Sequence, residues 1–326
     1  MHCDLSESMP WPAFLQAQRL LDSGVDAVQF VRREAWTCEP LTEPRARNGA
    51  EALFVEVAPG SLDDADDGVP TYRSDPDGLP AFHVPAGAAL DPELAAAARV
   101  YLPILIGAAR ARRAGESFVA GHVTQTLDGR IACENGQSQW IGNAADQHHS
   151  HRMRALLDGV MVGATTALHD DPKLNVRHVE GADPRRVVVS GRGRAITEGR
   201  DLALMSAPGC EVFVEGSRGV APPNDAVVLH RVEAVDGRLP PAAILSALRD
   251  RGIYSVYLEG GAGVLSSFLQ ASAINLLQVH IASMILGAGL PSLSLPPVEH
   301  VDDGLRVRMD HAILDGHILL TCRPGS

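Results

Sequence analysis

The alternation of hydrophobic and polar positions changes rhythm near the Ala114-Gly115-Glu116 junction. From residue 118 onward, short apolar and β-branched runs alternate with stretches whose apolar positions recur at helical spacing. Strands are predicted over 118–126, 159–162, 186–189, 211–214, 226–229, 255–258, 277–281, 305–309 and 318–321. Helices fit 144–157, 241–251 and 262–271. This order implies an α/β fold with a mainly parallel central sheet covered on both faces. The last two strands face each other across Asp315-Gly316, a dipeptide suited to a tight antiparallel hairpin.

Before the junction the pattern is less regular. A proline-opened helix is expected over 12–21, and a strand over 52–57 stopped by Pro59-Gly60. The acidic run 61–80, rich in Gly and Pro, reads as a solvated loop. Asp91-Pro92-Glu93 then opens a helix, with Asp as N-cap, Pro at the first position and Glu in the first turn. Arg110, Arg112, Arg113 and Gly115 suit its end, and Pro103 is expected to kink or split it. Residues 1–115 therefore read as an accessory α+β segment and 116–326 as the main domain.

Composition narrows the partners. The 326 residues are 45% hydrophobic and 21% charged, enough to bury a full core. A formal net charge of −12 argues against nucleic acid and against an anionic membrane surface. A pocket holding a few arginines still accepts a small anion. Cys3, Cys38, Cys133, Cys210 and Cys322 lie far apart with no C-x-x-C, so neither a disulfide framework nor a zinc site is expected. The N-terminus has no basic region before an apolar run, and no stretch approaches the roughly 20 apolar residues of a membrane span. A soluble, cytoplasmic protein is the expectation.

Several constellations carry chemistry. In S-V-Y-L-E-G-G-A-G-V-L-S-S-F-L-Q, 255–270, a strand ends at Glu259, glycines follow and an apolar helix begins. Glycines let backbone approach a pyrophosphate, and a helix start offers free N–H groups. No Asp or Glu lies between Val264 and Val298, so the usual ribose-binding acid is missing. This reads as a phosphate loop on another frame, or as a plain strand-to-helix turn. In D-D-P-K-L-N-V-R, Asp171-Pro172 forms a turn. Lys173 and Arg177, with Arg154, would suit a phosphomonoester, and Ser138 would add a hydroxyl. Trp140 offers a flat ring for a cofactor, or a core side chain. Ser190, Arg192 and Arg194 follow a buried strand, where a 2′-phosphate would select NADPH. His148, His149 and His151 read as a solvated helix face, not a metal site. His178-Val179-Glu180 matches H-x-E without the companion P-C-x-x-C.

Taken in order, T-L-D-G-R-I-A, G-Q-S-Q-W-I, H-R-M-R-A, V-G-A-T-T-A-L-H-D-D-P-K-L-N-V-R, P-R-R-V-V-V and L-E-G-G-A-G resemble the reductase domain of bacterial RibD, over about Ser117 to Cys322. The resemblance implies a dihydrofolate-reductase-like α/β/α frame. It implies NADPH-dependent reduction of a ribosylaminopyrimidine 5′-phosphate to its ribitylamino counterpart, by a homodimer. Thr124, Trp140, Thr166, Asp170 and the loop Gly261, Ala262, Gly263, Val264, Leu265 would contact NADPH; Ser190 and Arg192 join them from the reading above. Ser138, Arg154, Leu174, Arg177 and Glu259 would contact substrate, with Ser138, Arg154 and Arg177 around its phosphate. Asp170 and Glu259 are the candidates for orienting sugar hydroxyls or relaying a proton, and Asp128-Gly129 would shape the turn beneath the nicotinamide. The apolar strand A-I-N-L-L-Q-V-H-I-A is the candidate dimer seam.

Four positions depart from the family. It has Lys where this chain has His122, Ser for Thr126, and Asp for Ser190 and Asn275. The His122 change falls on the substrate side, which leaves open a different pyrimidine or a pteridine. The family's deaminase half is absent as a sequence signature, and residues 1–115 match no pattern. A non-catalytic nucleotide-binding relative is the reading from a different class.

Overall fold

The computed structural model describes residues 9–32, 35–41, 52–56, 71–74, 80–83, 90–198 and 202–325. They fall into two units, Met1–Ala114 with Ala312–Gly316, and Gly115–His311 with His317–Ser326.

The first unit contains α1 (Trp11–Asp22), β1 (Ala27–Arg32), β2 (Trp36–Pro40), β3 (Ala52–Glu56), β4 (Thr71–Ser74), β5 (Pro80–His83) and α2 (Pro92–Ala114). Its sheet runs β2-β1-β3-β4-β5, parallel only between β3 and β4. Phe14 of α1 packs its ring 5.0 Å from Phe30 of β1 and 5.9 Å from Tyr101 of α2, all three buried. Asp91 caps α2 as expected, its Oδ1 accepting the Leu94 N–H at 2.8 Å.

Three expectations change here. Residues 71–74 and Pro80 belong to strands, because Thr71 and Tyr72 pair with β3; 61–70 and 75–79 lie outside the described residues. Pro103 does not split α2, which runs unbroken through buried Leu102, Ile104 and Leu105. Burial of that apolar surface outweighs the one backbone hydrogen bond a proline removes. The same helix is 23 residues long and apolar enough to cross a membrane by length and composition, but 72% of that apolar window is buried in protein.

The second unit comprises β6 (Phe118–Thr126), β7 (Arg130–Ala132), α3 (Ala144–Leu156), β8 (Gly159–Gly163), α4 (Ala164–Asp170), β9 (Arg185–Val189), α5 (Arg194–Thr197), β10 (Cys210–Glu215), β11 (Val227–Val232), α6 (Pro241–Asp250), β12 (Ser255–Glu259), α7 (Ala262–Gln270), β13 (Leu276–Ala282), β14 (Leu290–Pro291), β15 (Val307–Leu314) and β16 (His317–Pro324). Nine strands form one sheet in the order β11-β10-β9-β8-β12-β6-β13-β16-β15. β11 through β13 are parallel, and β13 pairs antiparallel with β16. Asp315 and Gly316 take φ of +48° and +77°, as a primed hairpin turn requires. This is the mainly parallel α/β frame expected from the sequence. β15 runs longer and later than the expected 305–309.

The sheet has two unlike faces. On one, Val119, Val123, Met161, Phe213, Val256, Leu258 and Leu277 pack against Ile244 and Leu248 of α6 and Leu265 and Phe268 of α7. On the other, alternate positions of β6, β12 and β13 present His122, Thr124, Tyr257, Glu259, Gln278 and His280 in register. Strand periodicity makes the split unavoidable, since neighbouring residues point to opposite faces. α3 covers the polar face through Asp146, His149, Ser150 and Arg154. β13, the candidate dimer seam, instead lies inside the sheet between β6 and β16, so its edges are already paired.

Phe268 is 1% exposed at the centre of the apolar layer. Phe268→Ala should cost about 3–5 kcal/mol in urea unfolding followed by circular dichroism. A loss below about 1 kcal/mol would mean that α7 is not anchored through this ring.

Candidate active site

After β8 the chain moves outward to β9; after β12 it crosses β6 to reach β13. β8 and β12 are neighbours, so a crevice opens beyond their C-terminal ends where these connections diverge. Gly163 ends β8 and Gly260-Gly261 follow β12, the latter two with φ of +69° and +81°. A Cβ on Gly163 would stand 2.9 Å from Val264 Cγ2, and one on Gly261 3.1 Å from Thr166 Oγ1. The strand-to-helix turn of β12 therefore closes directly on the first turn of α4. Thr166 and the Gly261–Leu265 backbone, far apart in sequence, share one wall, and the start of α7 adds its free N–H groups.

The second wall is ionic. Arg154, near the end of α3, is buried and donates from Nε and Nη2 to the two carboxylate oxygens of Glu259, at 2.8 and 2.5 Å. Its Nη1 donates to the Asn175 carbonyl at 3.1 Å, within the D-D-P-K-L-N-V-R segment. Arg177 is exposed one turn further; its backbone N–H donates to His151 Nδ1 at 3.0 Å, and its guanidinium to Asn175 Oδ1 at 3.1 Å. Arg154 thus meets the glycine turn at Glu259, and Arg177 is tied to the same helix through His151 and to the same segment through Asn175. Burial works against the Arg154 charge, and Glu259 more than restores it, holding the guanidinium's pKa above its ordinary value. Leu174 is buried with φ +53°, and Asp171 ends α4 with φ +42°, accepting the Ala203 N–H at 2.7 Å. The Asp-Asp-Pro segment is a turn and also places Asn175 beneath Arg154.

The remaining predicted residues have these surroundings. Gly136 stands where a Cβ would be 3.4 Å from His169 Nε2, which brings the loop carrying Ser138 and Trp140 beside the end of α4. Trp140 has φ +72° and is 80% exposed, so its ring is available rather than part of the core. Asp170 is exposed and bonded to His169 at 2.8 Å. Lys173 and Arg192 are exposed, and Arg194 pairs with Glu198. Ser190 is buried with its hydroxyl accepting the Ala195 N–H at 3.1 Å, so it shapes the loop after β9. Asp128 accepts from Thr126 Oγ1 at 2.6 Å and from the Leu286 and Gly287 N–H groups at 3.1 and 2.7 Å. The Thr126 hydroxyl and these amides hold its carboxyl down at about 2.

The histidine run on α3 departs from the solvated reading. His149 and His151 are buried, because α3 turns this face onto the polar side of the sheet. His149 Nε2 meets Gln278 Oε1 at 2.9 Å. His178 stacks edge-on 4.5 Å from His151. Asp146, also on α3, went unread in the sequence. Its Oδ2 accepts from Thr124 Oγ1 at 2.7 Å, and its Oδ1 lies 3.4 Å from His122 Nε2 and 3.2 Å from His280 Nδ1. The available signal was a period of two with the wrong polarity: H-V-T and Q-V-H place polar residues inside strands that are otherwise buried. No group of His, Cys, Asp and Glu among the described residues is arranged to hold a metal ion.

The RibD C-terminal domain model matches residues 117–317, and the chain belongs to that family. It is 31% identical over 204 residues to a Mycobacterium tuberculosis riboflavin biosynthesis protein RibD, covering 61% of this chain and 52% of that one. It is 32% identical over 213 residues to the 2,5-diamino-6-ribosylamino-4(3H)-pyrimidinone 5′-phosphate reductase of Methanothermobacter thermautotrophicus, covering 62% of this chain and 95% of that protein. The chain thus spans about half the length of the bacterial relative and nearly all of the archaeal one. A solved Thermotoga maritima diaminohydroxyphosphoribosylaminopyrimidine deaminase/5-amino-6-(5-phosphoribosylamino)uracil reductase shares the fold, with a TM-score of 0.62 at 22% identity over 97% of this chain and 99% of that one. That likeness extends across the first unit too, for which the sequence offered no counterpart.

Burial lowers the pKa of His149 and His151 to about 3 and of His280 to about 4; nearby positive charge, from His122 or Arg154, adds to the effect. Unfolded, each imidazole returns to about 6.5. The unfolded chain therefore binds more protons between about 3 and 6.5, and stability rises with pH across that window. The urea midpoint should fall on going from pH 7 to pH 5, and His149→Gln should flatten that fall. An equal midpoint at both values would mean that the buried rings accept protons without unfolding.

Proposed function

We propose that the second unit is an NADPH-dependent reductase that converts a phosphoribosylaminopyrimidine to its ribitylamino product in a riboflavin-type pathway. The observation that carries this reading is the Arg154–Glu259 junction, which ties the arginine-bearing helix α3 to a glycine turn suited to a dinucleotide. The names of the relatives support the substrate class. The Gly163 and Gly261 cradle fits a nicotinamide dinucleotide, since any Cβ there would fill the wall against which a pyrophosphate lies. Arg192, exposed just beyond β9, is the group for a 2′-phosphate, which favours NADPH over NADH.

When bound, NADPH supplies a hydride, and the protein supplies placement and charge. Thr124, Thr166, Trp140, Asp170 and the 261–265 backbone hold the cofactor. Arg177, Ser138 and Arg154 take the substrate phosphate. Glu259 accepts from Arg154 with both oxygens and orients the sugar, so the reacting carbon, C1′ of the ring-opened imine, faces the cofactor. Fixing two reactants in this way contributes on the order of 7–11 kcal/mol.

A second copy is proposed along the outer strand β15, which exposes Val307 and Met309, with Ile318 of β16 beside them. An outer strand with exposed apolar side chains is a ready docking surface.

Mixing the protein with NADPH and the phosphoribosylaminopyrimidine should bleach the nicotinamide absorbance; binding without turnover would instead mark a non-catalytic relative. Arg177→Ala should raise KM by about ten- to a hundredfold, the worth of one charged hydrogen bond. An unchanged KM would remove Arg177 from the phosphate site. Met309→Asp should turn the dimer into a monomer in sedimentation equilibrium, and an unaltered mass would place the interface elsewhere.

A further inference from the structure

Reduction of an imine consumes a proton as well as a hydride, and the crevice carboxylates are poorly placed to give one. Glu259 accepts with both oxygens from Arg154, and Asp170 lies exposed against His169. On the polar face of the sheet, four side chains instead stand in series. His317 Nδ1 is 2.7 Å from His280 Nε2, His280 Nδ1 is 3.2 Å from Asp146 Oδ1, and the same oxygen is 3.4 Å from His122 Nε2. His317 is half-buried at the start of β16, whereas His280, Asp146 and His122 are buried. The inner end of the series sits beside the crevice: His122 is the direct register partner of Glu259, and Gly260 donates its N–H to the His122 carbonyl at 3.3 Å.

Resting on the reductase reading above, we propose that His317, His280, Asp146 and His122 form a relay that carries a proton from solvent to the reacting imine. Three of its atoms, His122 Nε2, Asp146 Oδ1 and His280 Nδ1, are buried and face one another without a well-aligned hydrogen bond. A purely structural network satisfies such atoms, because each one left over is destabilising. The place is also built for the carboxylate. Gly142 approaches so closely that a Cβ there would overlap Asp146 Oδ2, and the Thr124 hydroxyl fixes that same oxygen. The titratable groups packed around His122 include Asp146 and His149 of α3, Tyr257 of β12 and His280 of β13. Burial raises the Asp146 carboxyl, but hydrogen bonds and charge from His122, His280 and Thr124 more than offset this and keep it ionised.

The direction of the wire follows from the tautomers. With its Nδ1–H towards Asp146, neutral His280 has a bare Nε2, which accepts the Nδ1–H of His317. Asp146 Oδ1 faces His122 Nε2 and offsets the charge that passes through that ring with the proton. As the hydride from the reduced nicotinamide bonds to C1′, the C=N π pair moves to nitrogen, and that nitrogen takes the proton from His122 Nδ1. One solvent proton entering at His317 Nε2 shifts along the series, and tautomer exchange at the rings resets it. The sum is one imine, one NADPH and one proton giving one amine and one NADP+.

His317→Gln at the half-buried entrance and His280→Gln inside are the informative variants, each first checked for NADPH binding by fluorescence. Both should lower kcat by about tenfold or more with little change in KM, within the range of general acid–base contributions. Added imidazole should restore turnover in His317→Ala, a rescue that a merely structural role would not give. In the resting protein, 15N spectra should show a coupling across the hydrogen bond between His280 Nε2 and His317 Nδ1. Wild-type kcat in both variants, or the absence of that coupling between the two rings, overturns the relay alone. An absence of turnover by the wild-type chain overturns the reductase reading and the relay with it.

Discussion

The bidentate pairing of Arg154 with Glu259 is the constraint on which the rest of the second unit depends. Arg154 is buried near the end of α3, and Glu259 closes β12, so one interaction fixes the helix to the sheet at the C-terminal edge where the crevice opens. A buried guanidinium without a counter-charge would cost several kcal/mol, so the pair forms in a single geometry. Two parallel hydrogen bonds define orientation as well as distance. Through Asn175 the same guanidinium sets the segment bearing Arg177. Through Glu259 it sets the point from which Gly260 and Gly261 depart.

The second constraint is the inequality of the two sheet faces. α6 and α7 cover an apolar layer that supplies the bulk of the hydrophobic burial. α3 covers a layer of histidines, Asp146, Gln278 and Tyr257, which contributes little net stability and is costly to leave unsatisfied. Its members His122 and Glu259 stand in register at the C-terminal end of the sheet. The division of labour is spatially clean: the apolar face holds the sheet together, and the polar face equips its C-terminal end.

Much of the site was legible in the sequence because its motifs are local. The Glu259 turn, the Asp-Asp-Pro segment and the helix ending in H-R-M-R-A each carry their own backbone signature, and the three converge as expected. What was misread depends on which way an element faces. His149 and His151 looked like a wet helix face because their partners, Gln278 on β13 and Arg177, are remote in sequence. Ser190 looked like a phosphate ligand, but its hydroxyl caps the short helix five residues on. β13 was the candidate dimer seam, since nothing local reveals that β6 and β16 flank it.

The sequence by itself determined the alternation of strands and helices, the glycine turn after Glu259, the Asp315-Gly316 hairpin and the family of the second unit. These follow from side-chain period and backbone chemistry, which act over a few residues. Tertiary structure alone decided that α3 lies on the polar face, that Arg154 spends its charge on Glu259, and that His317, His280, Asp146 and His122 stand in line. Those relations join residues up to 195 positions apart in the chain numbering (122 to 317) through register and burial, and no local pattern encodes which distant strand will lie alongside.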